Sequence, residues 1–133
     1  IGEPLPLEKD TRLHRYGLFS RYLAENGHDV TWWTSTFSHT PKKHFAEKDT
    51  EISHGKARVV LIHGPGYKKN VSKQRIDHQA HFGRRFYELA QKETPPDVLI
   101  TPVPTLEVAD LATQYAAKKK IPVIVDIRDL WPD

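Results

Sequence analysis

Ala57-Arg58-Val59-Val60-Leu61-Ile62-His63 runs directly into Gly64-Pro65-Gly66. Val59 to Ile62 is an unbroken apolar run, mostly β-branched, closed by turn residues. A run this short without polar alternation predicts a strand buried on both faces, as in a parallel sheet flanked by helices. Working outward, Asp97–Thr101 and Ile121–Ile127 read as strands of the same kind. Asp29 to Thr34 (Asp-Val-Thr-Trp-Trp-Thr) is β-branched and aromatic, hence a further strand. Side chains alternate along a strand, so at least one of Trp32 and Trp33 faces the core.

Helical patterns lie between the strands. Asp10 or Thr11 caps a helix to about Asn26, with Leu13, Tyr16, Phe19, Leu23 and Ala24 at helical spacing and Gly27 as the stop. Ser72 to about Lys92 predicts a second helix with Ile76, Ala80, Phe86 and Ala90 inward, broken by Pro95-Pro96. Thr105 to Lys120 predicts a third, with Val108, Leu111, Ala112 and Tyr115 on one face. Ser35–Lys56 reads as a long polar connection carrying His39, His44, His54, Lys42, Lys43 and Lys48; such length marks a functional or mobile segment. This order predicts an α/β fold with a doubly wound parallel sheet.

Composition bounds what such a chain does. Its 133 residues are 38% hydrophobic and 28% charged, which fits one soluble globular domain. Cysteine is absent, so the sequence offers neither disulfides nor thiolate metal ligands. No apolar run approaches the roughly 18 residues that span a bilayer, and no signal peptide is visible. Twenty basic residues against 17 acidic give +3, too mild a charge to argue for nucleic acid. The chain opens at Ile1-Gly2-Glu3-Pro4 without an initiator Met and closes at Trp131-Pro132-Asp133 after its last strand. Both ends are expected to be cuts.

Three stretches carry candidate chemistry. Asp126-Ile127-Arg128-Asp129 stands at the end of an apolar strand, where open parallel sheets gather ligands. Arg128 offers a planar fork to phosphate or carboxylate, and Asp126 or Asp129 can accept from sugar hydroxyls. The plainer reading is a loop whose Asp caps a following helix and pairs with Arg128. Gly2, the Asp10–Thr11 cap and Arg12 form a helix entrance able to receive an anion, although neither G-x-G-x-x-G nor a Walker sequence is present. Tyr67-Lys68-Lys69-Asn70 through Arg75, continued by Arg84 and Arg85, makes a basic face suited to anionic lipid or a diphosphate, or simply to solvent. His78 and His81 share a helix face, but no third ligand stands at a fixed spacing. They read as surface histidines, and no metal is expected.

These residues resemble a known family. Arg12-Leu13 through Leu23-Ala24-Glu25-Asn26-Gly27-His28-Asp29-Val30-Thr31 is similar to the first helix and second strand of glycosyltransferase family 4. Trp32 to His39, then Tyr67, Asn70, Ser72 and Arg75, then Asp126 to Pro132 resemble a bacterial cell-surface polysaccharide subgroup. The likeness covers nearly the whole chain. It departs at the first loop, which lacks paired glycines, and at Arg128-Asp129, where many members carry His.

The resemblance implies the N-terminal half of a GT-B glycosyltransferase, a Rossmann-like doubly wound parallel sheet. Residues 1–133 would be the acceptor-side domain, and the nucleotide-sugar-binding C-terminal domain lies outside the chain. The whole enzyme would move a sugar from a nucleotide-sugar to a lipid-linked or saccharide acceptor with retention, without metal or cofactor. Asp129 and Arg128 are the expected catalytic residues; Gly2, Arg12, Asp126, Tyr67, Asn70 and Arg75 are expected to bind substrate. A cytoplasmic protein is expected, peripheral at the inner face of the plasma membrane, with no nucleic-acid partner. Two alternatives stand beside it: a nucleotide-sugar 2-epimerase-like GT-B enzyme, and a non-catalytic α/β ligand-binding module.

Overall fold

A computed structural model describes residues 15–103 and 105–128 of the chain. It is a mixed α/β protein that divides into two compact units, Ile1–Gly66 and Tyr67–Asp133.

In the first unit, α1 (Arg15–Glu25) buries Tyr16, Gly17, Ser20 and Ala24, a ridge with four-residue spacing. Phe19, expected inward, is exposed because it lies off that ridge; its ring meets Tyr16 edge-on instead. Gly27 ends the helix with φ +88°. The His28 N–H donates to the Leu23 carbonyl at 3.1 Å and the Gly27 N–H to that of Ala24 at 3.3 Å, the paired bonds of a Schellman stop. The strands follow: β1 (Thr31–Ser35), β2 (Phe37–Ser38), β3 (Lys43–His44), β4 (Thr50–His54) and β5 (Ala57–Ile62). β5 lies between β1 and β4 and is buried almost throughout. It runs parallel to β1, pairing Trp32 with Val59 and Ser35 with Ile62. Trp32 and Trp33 are both buried.

The connection between β1 and β5 differs from expectation. Residues 36–56 hold no helix; they form the β2–β3 hairpin and then β4, which pairs antiparallel with β5. The first sheet is therefore mixed, not purely parallel. β4 escaped the sequence reading because Thr50-Glu51-Ile52-Ser53-His54 is an edge strand, largely exposed, with little apolar content. Gly55 makes the turn into β5, taking φ +60° at the first position of a two-residue connection. Across the hairpin, Arg58 Nη2 and Nε donate to the two Glu51 carboxylate oxygens at 2.7 and 3.0 Å. This exposed pair contributes about 1 kcal/mol or less.

In the second unit, α2 (Lys73–Ala90) and α3 (Leu106–Lys119) pack together, and α3 packs on the parallel pair β6 (Leu99–Val103) and β7 (Val123–Ile127). Ser72 caps α2, its hydroxyl accepting from the Arg75 N–H at 3.2 Å. The buried ridge of α2 is His78, Phe82, Phe86 and Ala90. Ile76, expected inward, lies two residues from His78, so on the opposite side, and is exposed. His78, read as a surface histidine, sits on the core ridge and is buried. Val108, Ala112 and Tyr115 of α3 are buried as expected. Gly83 lets the helices approach: a Cβ there would stand 3.0 Å from the Glu107 carbonyl oxygen and 2.9 Å from Leu111 Cδ1. α3 lies mainly against β6, and Ile124, Val125 and Ile127 of β7 remain exposed. The apolar strand expected to be covered on both faces is thus open.

Candidate functional site

Within each unit, polar side chains stand at or just past the carboxyl ends of the parallel strands, the edge where open sheets bind ligands. In the second unit, β6 and β7 pair in register from Leu99–Val123 to Val103–Ile127, which sets Asp126 opposite Pro102. Asp126 is half-buried. Arg128 follows the strand, exposed, with its backbone N–H directed to the Val103 carbonyl at 3.4 Å. Asp126 and Arg128 therefore flank the end of one strand. Asp129, Gly2 and Arg12, together with the Asp10–Thr11 cap, lie outside the described residues.

A second group stands where α2 begins. The Arg75 Nη1 donates to the Asn70 carbonyl oxygen at 2.9 Å. The Ser72 hydroxyl donates to the Lys69 carbonyl at 2.8 Å, so the loop is folded against the cap. Tyr67 meets the ring of His78 edge-on, with centroids 5.5 Å apart. Burial raises the Tyr67 phenol pKa against the opposing pull of the Arg75 charge. Buried Arg75 Nε has no hydrogen-bond partner. The fold thus brings Tyr67, Asn70 and Arg75 together, with Lys68, Lys69 and Lys73 exposed beside them. Such a group offers cationic donors and helix N–H groups to an anion.

The third group was not anticipated. Thr36 and His63 directly follow β1 and β5, and β3 carries His44 between them. The buried Thr36 Oγ1 lies 2.9 Å from His44 Nδ1 and 3.2 Å from His63 Nδ1. His63 Nδ1 also lies 3.1 Å from the Ala46 carbonyl oxygen, and the His63 N–H donates to Asp49 Oδ1 at 2.8 Å. The two imidazole rings stand 4.6 Å apart, and Phe37 flanks His44 at 5.1 Å. Burial is the main cause lowering the His44 pKa; neighbouring His63 adds to it and Glu47 opposes it. The available signal was positional. Thr36 and His63 each follow an apolar strand, the same rule that singled out Asp126 and Arg128.

Among the described residues, no group of three or more His, Asp or Glu side chains is disposed to hold a metal ion. No helix among them is long and apolar enough to cross a membrane. Neither a family model, a curated protein nor a solved structure matches the chain.

Proposed function

We propose that this chain is the acceptor-side half of a GT-B glycosyltransferase, Rossmann-like and doubly wound, acting in cell-surface polysaccharide synthesis. The observation that carries the reading is the position of Asp126 in the last residues of β7, with Arg128 just past it, at the carboxyl end of a parallel strand pair. Sugar transfer from a nucleoside diphosphate leaves two charges to stabilise. Arg128 suits the departing diphosphate, and a carboxylate at Asp129 suits the sugar or the acceptor hydroxyl. Tyr67, Asn70 and Arg75 suit the anionic part of a lipid-linked acceptor.

The test is transfer of labelled sugar from nucleotide-sugars to lipid-linked and saccharide acceptors. A longer protein that continues past Asp133 into a second α/β domain should transfer; residues 1–133 alone should fold and transfer nothing. Turnover by residues 1–133 alone would refute this division of labour. Release of free sugar in place of transfer by the longer protein would favour epimerase-like chemistry. The exposed Lys68, Lys69 and Lys73, with Arg84, suit peripheral contact with an anionic bilayer, each worth about 1 kcal/mol near such a surface. Co-sedimentation with anionic vesicles should fall as salt rises and when these charges are reversed; binding indifferent to both rules the contact out.

A further inference from the structure

One buried hydroxyl shared by two imidazoles fixes where the hydrogens lie in the Thr36 cluster. His63 Nδ1 is within 3.1 Å of the Ala46 carbonyl oxygen. A carbonyl only accepts, so that bond requires a hydrogen on His63 Nδ1. The same N–H reaches Thr36 Oγ1 at 3.2 Å. The Thr36 hydroxyl hydrogen then goes to the other nitrogen, and His44 Nδ1, at 2.9 Å, is its acceptor. His44 is therefore neutral, with its hydrogen on Nε2. Donation runs one way, from His63 to Thr36 to His44.

One added proton disrupts this order. A protonated His44 carries hydrogens on both nitrogens, so Nδ1–H points at Thr36 Oγ1 and the hydroxyl hydrogen loses its acceptor. Thr36 is fully buried, and water cannot replace that acceptor. The cationic ring would also face His63, 4.6 Å away. The remaining surroundings supply limited compensation. Phe37 flanks the ring without charge, and a Cβ at Gly66 would stand 3.0 Å from His44 Nε2. Lys43 adjoins it in β3, and Lys42, in the β2–β3 turn, is bonded to His39 at 3.3 Å. Glu47 favours the charged form, while Asp49 is engaged by the His63 N–H.

These bonds tie a specific segment. The Phe45 N–H donates to the Thr36 carbonyl at 2.8 Å, and Ala46 and Asp49 hold His63. Residues 37–49 are thereby fastened to Thr36 and His63, the residues just past the carboxyl ends of β1 and β5. We propose that Thr36, His44 and His63 form a proton-operated latch that holds segment 37–49 at those strand ends at neutral pH and releases it on acidification.

Amide hydrogen exchange of the protein, corrected for intrinsic rates, tests the latch at about pH 7.5 and about pH 5.5, either side of the ordinary imidazole range. The Phe45 and His63 amides should lose protection several-fold, up to about ten-fold, at the lower pH, while those of α3 keep theirs. His44→Asn leaves an acceptor near Nδ1 that does not titrate in this window, so protection should become equal at the two pH values. Asp49→Asn, which keeps an acceptor oxygen, should retain the response and so exclude that carboxylate as its source. Unchanged protection in the wild type, or an undiminished pH response in His44→Asn, overturns the latch. Should His44→Asn fail to fold, the NMR titration of the wild-type His44 ring decides. A midpoint below the ordinary imidazole value that coincides with loss of Phe45 protection supports the latch; one at or above that value overturns it.

Discussion

If the proposed sugar transfer holds, Arg128 and Asp129 are where a single side chain should matter most to it. Arg128 directly follows β7, and its backbone reaches back to Val103 at the end of β6, so the carboxyl ends of both strands position it. On the glycosyltransferase proposal, Arg128→Ala and Asp129→Asn, made in a protein that continues past Asp133 into a second α/β domain, should each lower turnover by about 10²–10³ while leaving the fold intact, the usual cost of losing one electrostatic contact made in the transition state. A charge met only in the transition state lowers kcat and kcat/KM together. Asp126 is half-buried and within the strand, so Asp126→Asn should lower the melting temperature more than the rate. Thermal melts beside steady-state kinetics separate the two behaviours. Near-wild-type turnover in both Arg128→Ala and Asp129→Asn would reduce this stretch to a structural corner.

Elements differ in how far the sequence reveals them, and the difference follows the range of the interaction involved. The stop at Gly27 and the start of α2 at Ser72 depend on neighbours within a few residues, and both are legible in the sequence and present in the fold. The core faces of α1 and α2 were legible only in part, since helical spacing does not say which apolar stripe meets a partner: Phe86 and Ala90 are inward, but so is His78, and Ile76 is not. β4 exists because β5 offers it an edge, which no local pattern announces. Of the Thr36–His44–His63 group, only the positions of Thr36 and His63 after strands were legible: their meeting with His44 needs the pairing of β1 with β5 and of β2 with β3. Gly83 is another long-range feature, visible only once α2 and α3 meet. A Cβ at Gly83 gains helix propensity but stands 3.0 Å from the Glu107 carbonyl oxygen, a backbone atom that moves only with α3. Gly83→Val adds two further carbons and a stiff χ1, so overpacking should win and lower stability by about 1–3 kcal/mol. Urea unfolding followed by far-ultraviolet circular dichroism measures it; a variant as stable as the wild type would show that α2 and α3 can separate at little cost.

At the scale of the whole molecule, the two compact units carry titrating groups of opposite consequence. His44, in the first unit, has a lowered pKa, chiefly through burial. Between that pKa and the ordinary imidazole value of about 6.5, the unfolded chain binds more protons than the folded one, so stability rises with pH. The contribution is complete above about pH 6.5 and is lost as pH falls below it. Tyr67 and Tyr115, in the second unit, have raised pKa values, again chiefly through burial, reinforced at Tyr115 by Glu93 and opposed at Tyr67 by Arg75. Their unfolded forms lose the phenolic proton first, near pH 10, so the folded state binds more protons above that value and stability falls with rising pH. Their contribution is complete below about pH 10 and lost as pH climbs through the raised values. Unfolding midpoints should therefore fall on two separate limbs, each belonging to one unit. Trp32 and Trp33 are buried in the first unit and Trp131 belongs to the second, so tryptophan fluorescence measured in a Trp131→Phe background should follow the acid limb. Circular dichroism, weighted to α2 and α3, should follow the alkaline one. His44→Asn should flatten the acid limb and leave the alkaline limb alone; Tyr67→Phe combined with Tyr115→Phe should do the reverse. An acid limb that survives His44→Asn at full size between about pH 5 and about pH 6.5 would assign the titration to another group, because surface carboxylates titrate near pH 4 and do not act in that window.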